Sequence, residues 1–109
     1  PGRVAAAVRL HRPGHPARSL VTCASGDATL LGAARGVVAV GCSPAQTVRL
    51  SRIRLVVPTG GRVRVVPLPG LYVGSAALTR DGLFLAGTRG LDARVERVPW
   101  TTLRALLAR

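Results

Sequence analysis

Apolar and polar positions are most regularly ordered near the end of the chain. Residues 71–78, 83–88 and 93–98 each have the length and composition of a strand. They are separated by Thr79-Arg80-Asp81-Gly82 and Arg89-Gly90-Leu91-Asp92. Asp-Gly between two apolar runs is a strong hairpin signal, because those residues tolerate the positive φ that tight hairpin turns need. The pattern therefore predicts a three-stranded meander.

Upstream, Val4 to Val8 is a short apolar run that leads into His11-Arg12-Pro13-Gly14-His15-Pro16. Two prolines and a glycine there predict a loop. Residues 19–23 form a strand candidate ended by Ser25-Gly26-Asp27, and residues 28–33 form another, followed by a turn at Arg35-Gly36. Residues 37–42 are continuously apolar and rich in valine, as expected of a strand buried on both faces. After the turn at 43–46, residues 47–57 give the longest strand pattern. Its alternation changes phase between Val48/Leu50 and Ile53/Leu55/Val57, which a β-bulge near Ser51-Arg52 would reconcile.

Residues 62–66 alternate with period two, and their pairing with 47–57 depends on the turn. A four-residue loop would set Leu55 opposite Arg64 and mix polar with apolar side chains on both faces. The three-residue loop Thr59-Gly60-Gly61 sets Leu55 opposite Val65 and Val57 opposite Val63. The second register is expected, because it separates the faces and gathers Arg52, Arg54, Arg62 and Arg64 on one of them. Residues 99–109 change to helical spacing. Thr101 or Thr102 is placed to cap the helix, Leu103, Leu106 and Leu107 share a face, and Arg109 suits the negative end of the helix dipole.

The predicted organisation is thus an N-terminal segment and loop (1–18), an antiparallel β domain (19–98) and a C-terminal helix (99–109). A chain of 109 residues has the size of one domain. Aromatics make up only 3% of it, so the core must be built from valine, leucine and alanine. The formal charge is +12, with 16 basic residues against Asp27, Asp81, Asp92 and Glu96. Every basic residue is arginine, a skew that a GC-rich coding sequence produces, but the shortage of acids is not explained that way. It points to an anionic partner. Cys23 and Cys42 could be bridged, but two buried free thiols are the preferred expectation. The longest uncharged apolar stretch is interrupted by Pro67 and Pro69 and is too short to span a bilayer, so no membrane association is expected. A chain opening on Pro1, without a leader pattern, is expected to be part of a longer chain or assembly.

A shift of 46 places Gly36 to Cys42 on Gly82 to Thr88 with both glycines matched, and a shift of 54 aligns Asp27, Leu31, Arg35, Gly36 and Ala39 with Asp81, Leu85, Arg89, Gly90 and Ala93. The first shift gives the better strand order: four strands over 28–67, then the start of a second set. Four antiparallel strands per 40–50 residues is the plan of a propeller blade. Through Leu78-Thr79-Arg80-Asp81-Gly82-Leu83-Phe84-Leu85-Ala86-Gly87-Thr88, the chain resembles the WD-repeat-like β-propeller families over about two blades. The Trp-Asp pair of those families is missing, and Pro99-Trp100 lies near its place without the acid. The resemblance implies an all-β fold of four-stranded meanders, a partial propeller, with a β-sandwich as the structural alternative. It further implies a non-enzymatic protein-interaction module acting as a scaffold.

The residues themselves offer one other site. Arg52, Arg54, Arg62 and Arg64 on one hairpin face would repel one another unless paired or solvated, and phosphates would relieve that repulsion. The alternative function is therefore a basic nucleic-acid-associated module, backbone-led and salt-sensitive because no aromatics stand beside the arginines. Catalysis finds no support: Asp27 and Asp81 are turn formers, and Ser25 has neither an elbow nor a base at a suitable spacing. His11 and His15 with the two cysteines lack the spacing of a zinc set, and no cofactor is expected.

Overall fold

The computed structural model describes residues 6–23, 26–44 and 49–109. Val4, the turn at Ser25, residues 45–46 and Val48 lie outside the described residues. Nine antiparallel strands and one helix are described. The first two, β1 (Ala6–Leu10) and β2 (Arg18–Cys23), pair with each other. The proline-bearing segment between them is a hairpin connection, and the β domain therefore begins before residue 19.

The second sheet is a four-stranded meander of β3 (Asp27–Ala34), β4 (Val37–Ser43), β5 (Arg52–Val57) and β6 (Arg62–Val65). The β3–β4 turn uses Arg35 at φ 51° and Gly36 at φ 75°, both left-handed, as a two-residue hairpin turn of the mirror-image kind requires. β4 is buried along almost its whole length, as its unbroken apolar run predicts. The third sheet comprises β7 (Tyr72–Thr79), β8 (Gly82–Arg89) and β9 (Asp92–Val98), the expected meander. At the β7–β8 connection Asp81 keeps a negative φ while Gly82 is positive, at 138°.

The four-stranded sheet is the middle layer. On one face Val40 and Val56 are buried with Val21 of β2, and Val8, Leu20, Val38 and Val63 pack around them. On the other face Ala39, Ile53 and Leu55 join Leu78, Leu83 and Leu85 of the third sheet and Leu103, Leu106 and Leu107 of the helix. Gly32 sits where β3 meets β7: a Cβ there would be driven into the Leu78 carbonyl oxygen. β3 and β7 hold the same place in their sheets, and so do β4 and β8. The 46-residue shift therefore describes the first two strands of each set. It fails at the third strand, because β8 and β9 join through two residues whereas residues 44–51 lie between β4 and β5.

Four local expectations need correction. The first concerns the β5–β6 register, which is that of the four-residue loop: Leu55 lies opposite Arg64, Val56 opposite Val63 and Val57 opposite Arg62. The second concerns the cysteines, which are joined by a disulfide with 5.7 Å between Cα atoms. It ties the end of β2 to β4 across the layers and closes a loop worth about 3 kcal/mol in the chain-entropy account. The third concerns the helix, α1 (Trp100–Leu107). It starts from Pro99 with no side-chain cap, so Thr101 and Thr102 sit inside its first turn. Its position is set instead by the Trp100 indole N–H, which donates to the Thr79 carbonyl at 3.0 Å.

The fourth concerns the predicted β-bulge, which is not formed: β5 begins only at Arg52 and pairs with β4 in unbroken register. Leu50 is buried and bridges to Val73 of β7, while the Ser51 amide and hydroxyl both donate to the Cys42 carbonyl, at 2.8 and 3.0 Å. The chain thus leaves one sheet for the other at Ser51.

Candidate functional site

Opposed residues of antiparallel strands share a face, so the four-residue loop divides the predicted arginine cluster. Arg52 and Arg54 lie on the β1–β2 side with Val56 and Val63. Arg62 and Arg64 lie on the helix side with Ile53, Leu55 and Val57. Arg54 Nη1 donates to the Thr22 carbonyl at 3.1 Å. Arg62 Nη1 donates to the Leu107 carbonyl at 2.6 Å, and Arg64 Nη2 donates to the carbonyl of Arg109. Arg62 thus sits at the helix C-terminus, where carbonyls lack intrahelical partners and carry the negative end of the dipole, and Arg64 holds the residue just beyond the C-cap Ala108. The predicted common face of four arginines is not formed. Arg62 caps a helix, and Arg64 ties down the residue beyond its C-cap.

His11 and His15 lie exposed in the β1–β2 connection, and both cysteine sulfurs are used in the disulfide, so the four residues do not form one ligand set. Asp81 stands in the β7–β8 turn and Asp27 opens β3. Among the described residues no three histidine, cysteine or acidic side chains converge as a metal site, and no helix is long and apolar enough to cross a membrane.

What the sequence reading passed over lies on the third sheet. Its inner face is buried through Leu78, Leu83 and Leu85. Its outer face carries Ala77 opposite Phe84, Ala86 opposite Val95 and Thr88 opposite Ala93. No other layer among the described residues covers it, and Val95 is 73% exposed. Leu91, at the tip of the β8–β9 turn, is fully exposed. Strand alternation is enough to put these side chains on the face away from Leu83 and Leu85. The missing information was which layer stops at this sheet.

A charge cluster closes the end of the same sheet. Arg89 grips Glu96 with two hydrogen bonds, Nε to Oε2 at 2.7 Å and Nη2 to Oε1 at 3.0 Å, and Arg94 approaches the same carboxylate at 3.9 Å. The Arg89 hydrogen bonds, followed by the charges of Arg89 and Arg94, hold the Glu96 carboxyl below its ordinary range. The same bonds raise the Arg89 guanidinium above its ordinary value. Elsewhere, Arg35 and Arg104 lie over the Trp100 ring, 5.3 and 5.6 Å from its centroid, and Arg49 lies 4.9 Å from that of Tyr72. Arginine is used repeatedly here as a flat cation against rings and carbonyls.

Comparison of the chain with protein-family models, with curated proteins and with solved structures finds no match. The candidate site therefore rests on geometry alone: among the described residues, a sheet covered on one face, open on the other, and ending in the edge strand β9.

Proposed function

We propose that this chain is a non-enzymatic protein-interaction module, a scaffold of stacked blade-like sheets that presents the open side of its third sheet to a protein partner. One observation carries the reading. Among the described residues the middle sheet is covered on both faces, whereas the third sheet keeps Phe84, Ala86, Ala93 and Val95 on a face that no other element covers and leaves β9 as its edge. Exposed β-branched residues beside an unpaired edge are the usual setting for strand addition. The four-stranded meander, the second meander beginning at the same place in its own sheet, and the contact of β3 with β7 support the relation to WD-repeat-like propeller blades. A fold-level likeness does not specify a partner, so the surface must be tested directly.

A photo-crosslinking residue placed at Phe84 or Val95, in the cells that make the protein, is expected to give a protein adduct of discrete mass. The same residue at Thr22, on the exposed side of β2, is expected to give none. Equal labelling at all three positions, or none, would overturn the reading.

Phosphate-backbone binding is the second reading, and one observation favours it. Ion pairs among the described residues converge on a single carboxylate, Glu96, while Arg9, Arg12, Arg52 and Arg80 have no acidic partner there.

A further inference from the structure

We infer that β9 is a self-complementary edge, and that two copies of this chain pair through it to form one continuous six-stranded sheet. The inference rests on the reading of the third sheet as an interaction surface and names its partner.

The backbone sets the register. β8 and β9 are joined by the two-residue turn Gly90-Leu91, which makes Arg89 and Asp92 the closing, hydrogen-bonded pair. Hydrogen-bonded and non-bonded pairs alternate from there. The amides and carbonyls of Ala93, Val95 and Arg97 therefore point away from β8, toward the open edge. No backbone hydrogen bond among the described residues occupies them. An antiparallel strand can satisfy these groups, and a second β9 offers the same groups in the same order. Centred on Val95, the pairing sets Val95 against Val95 of the second copy and Ala93 against Arg97 of the second copy. On the other face it sets Arg94 against Glu96 of the second copy, twice by symmetry. Such a contact is isologous and closes at two.

Charge selects this edge over β6, and the other edge of the third sheet, β7, is already bridged by Leu50 at Val73. The chain carries +12 in total, which opposes self-association. β9, with Asp92, Arg94, Glu96 and Arg97, is locally neutral and holds two of the four acids. The edge strand of the middle sheet, β6, is only four residues long, carries Arg62 and Arg64 without an acid, and its arginines are engaged by the helix end. Short, charged edges resist pairing. β9 is longer and balanced, and its exposed large apolar side chain, Val95, stands at the symmetry centre.

Sedimentation equilibrium of the purified chain tests this. The chain is expected to show a reversible monomer–dimer equilibrium. Val95→Pro removes an amide that points away from β8, leaving the β8–β9 ladder intact. It should weaken the dimer about tenfold or more, with an unchanged circular dichroism spectrum. Arg94→Glu sets carboxylates opposite each other across the axis, and Glu96→Arg does the same with guanidiniums. Each should weaken self-association about tenfold. Mixed together, these two variants should form a heterodimer, because both opposed pairs become complementary. A chain that stays monomeric, a dimer unaffected by Val95→Pro, or variants that fail to recover on mixing would overturn the inference. A monomeric chain that still gives a heterologous adduct from position 95 would overturn the second-copy assignment and leave the interaction module standing.

Discussion

Glu96 is the only acidic side chain among the described residues that collects cations, and its consequence is a pH dependence with a definite sign. Its folded-state carboxyl binds a proton less readily than in the unfolded chain, first because Arg89 donates two hydrogen bonds to the ionised form. The contribution is therefore complete above the ordinary carboxylate range, near about pH 4. It is lost as pH falls through the lowered value. Arg89, raised above its ordinary value, stays charged throughout. The thermal midpoint of the parent chain is expected to fall on acidification more steeply than that of Glu96→Gln, the two converging at the acid end. Parallel curves in a melting series would show that the pair contributes nothing. The cluster was legible only in part: strand alternation puts Arg94 and Glu96 on one face, whereas Arg89 falls in the turn expected over 89–92 and is instead the last residue of β8. Which of the two arginines holds the carboxylate depends on side-chain reach and was not legible.

At the scale of elements, strand positions followed from the sequence far better than the relations between strands did. The third sheet, the buried β4 and the apolar side of the helix were all readable, because each is fixed by a period of two or 3.6 residues within one segment. The β5–β6 register was misread because the expectation assumed that arginine seeks a solvated face. Arg62 and Arg64 instead share a face with Leu55 and Val57, and their guanidiniums reach the last carbonyl of α1 and that of Arg109 just beyond it. The disulfide was misread for a related reason: it depends on β2 lying against β4, a relation between layers that no local pattern encodes. Joint replacement Arg62→Ala and Arg64→Ala is expected to cost about 1–2 kcal/mol through lost capping of the helix. That should lower the thermal midpoint by roughly 5–10 °C in a domain of this size. Arg52→Ala, an exposed position, should stay within about 0.5 kcal/mol of the parent. Equal effects at the two sites in circular-dichroism melts would refute the capping role.

The division of arginines between faces changes how the whole molecule should meet a polyanion. A single patch would make affinity depend steeply on Arg52, Arg54, Arg62 and Arg64. The fold instead places Arg9 and Arg12 on or beside β1, Arg52 on one side of the middle sheet, Arg62 and Arg64 at the helix end, and Arg80, Arg94 and Arg97 around the third sheet. With charge spread in this way, the number of phosphates neutralised at once is set by how many cations any one orientation offers. Replacing Arg52, Arg54, Arg62 and Arg64 with serine should then lower the salt needed for elution from heparin only in proportion to the charge removed. Replacing Arg9, Arg12, Arg80 and Arg97 should lower it by the same amount. Because the first set contains Arg62 and Arg64, which hold the helix end, both variants must be compared below their melting transitions, where each is folded. Loss of retention in the first variant alone would restore a localised site and favour the nucleic-acid reading. Matched, graded losses in both would assign retention to the overall charge of +12, leaving the open side of the third sheet as the surface on which specificity depends.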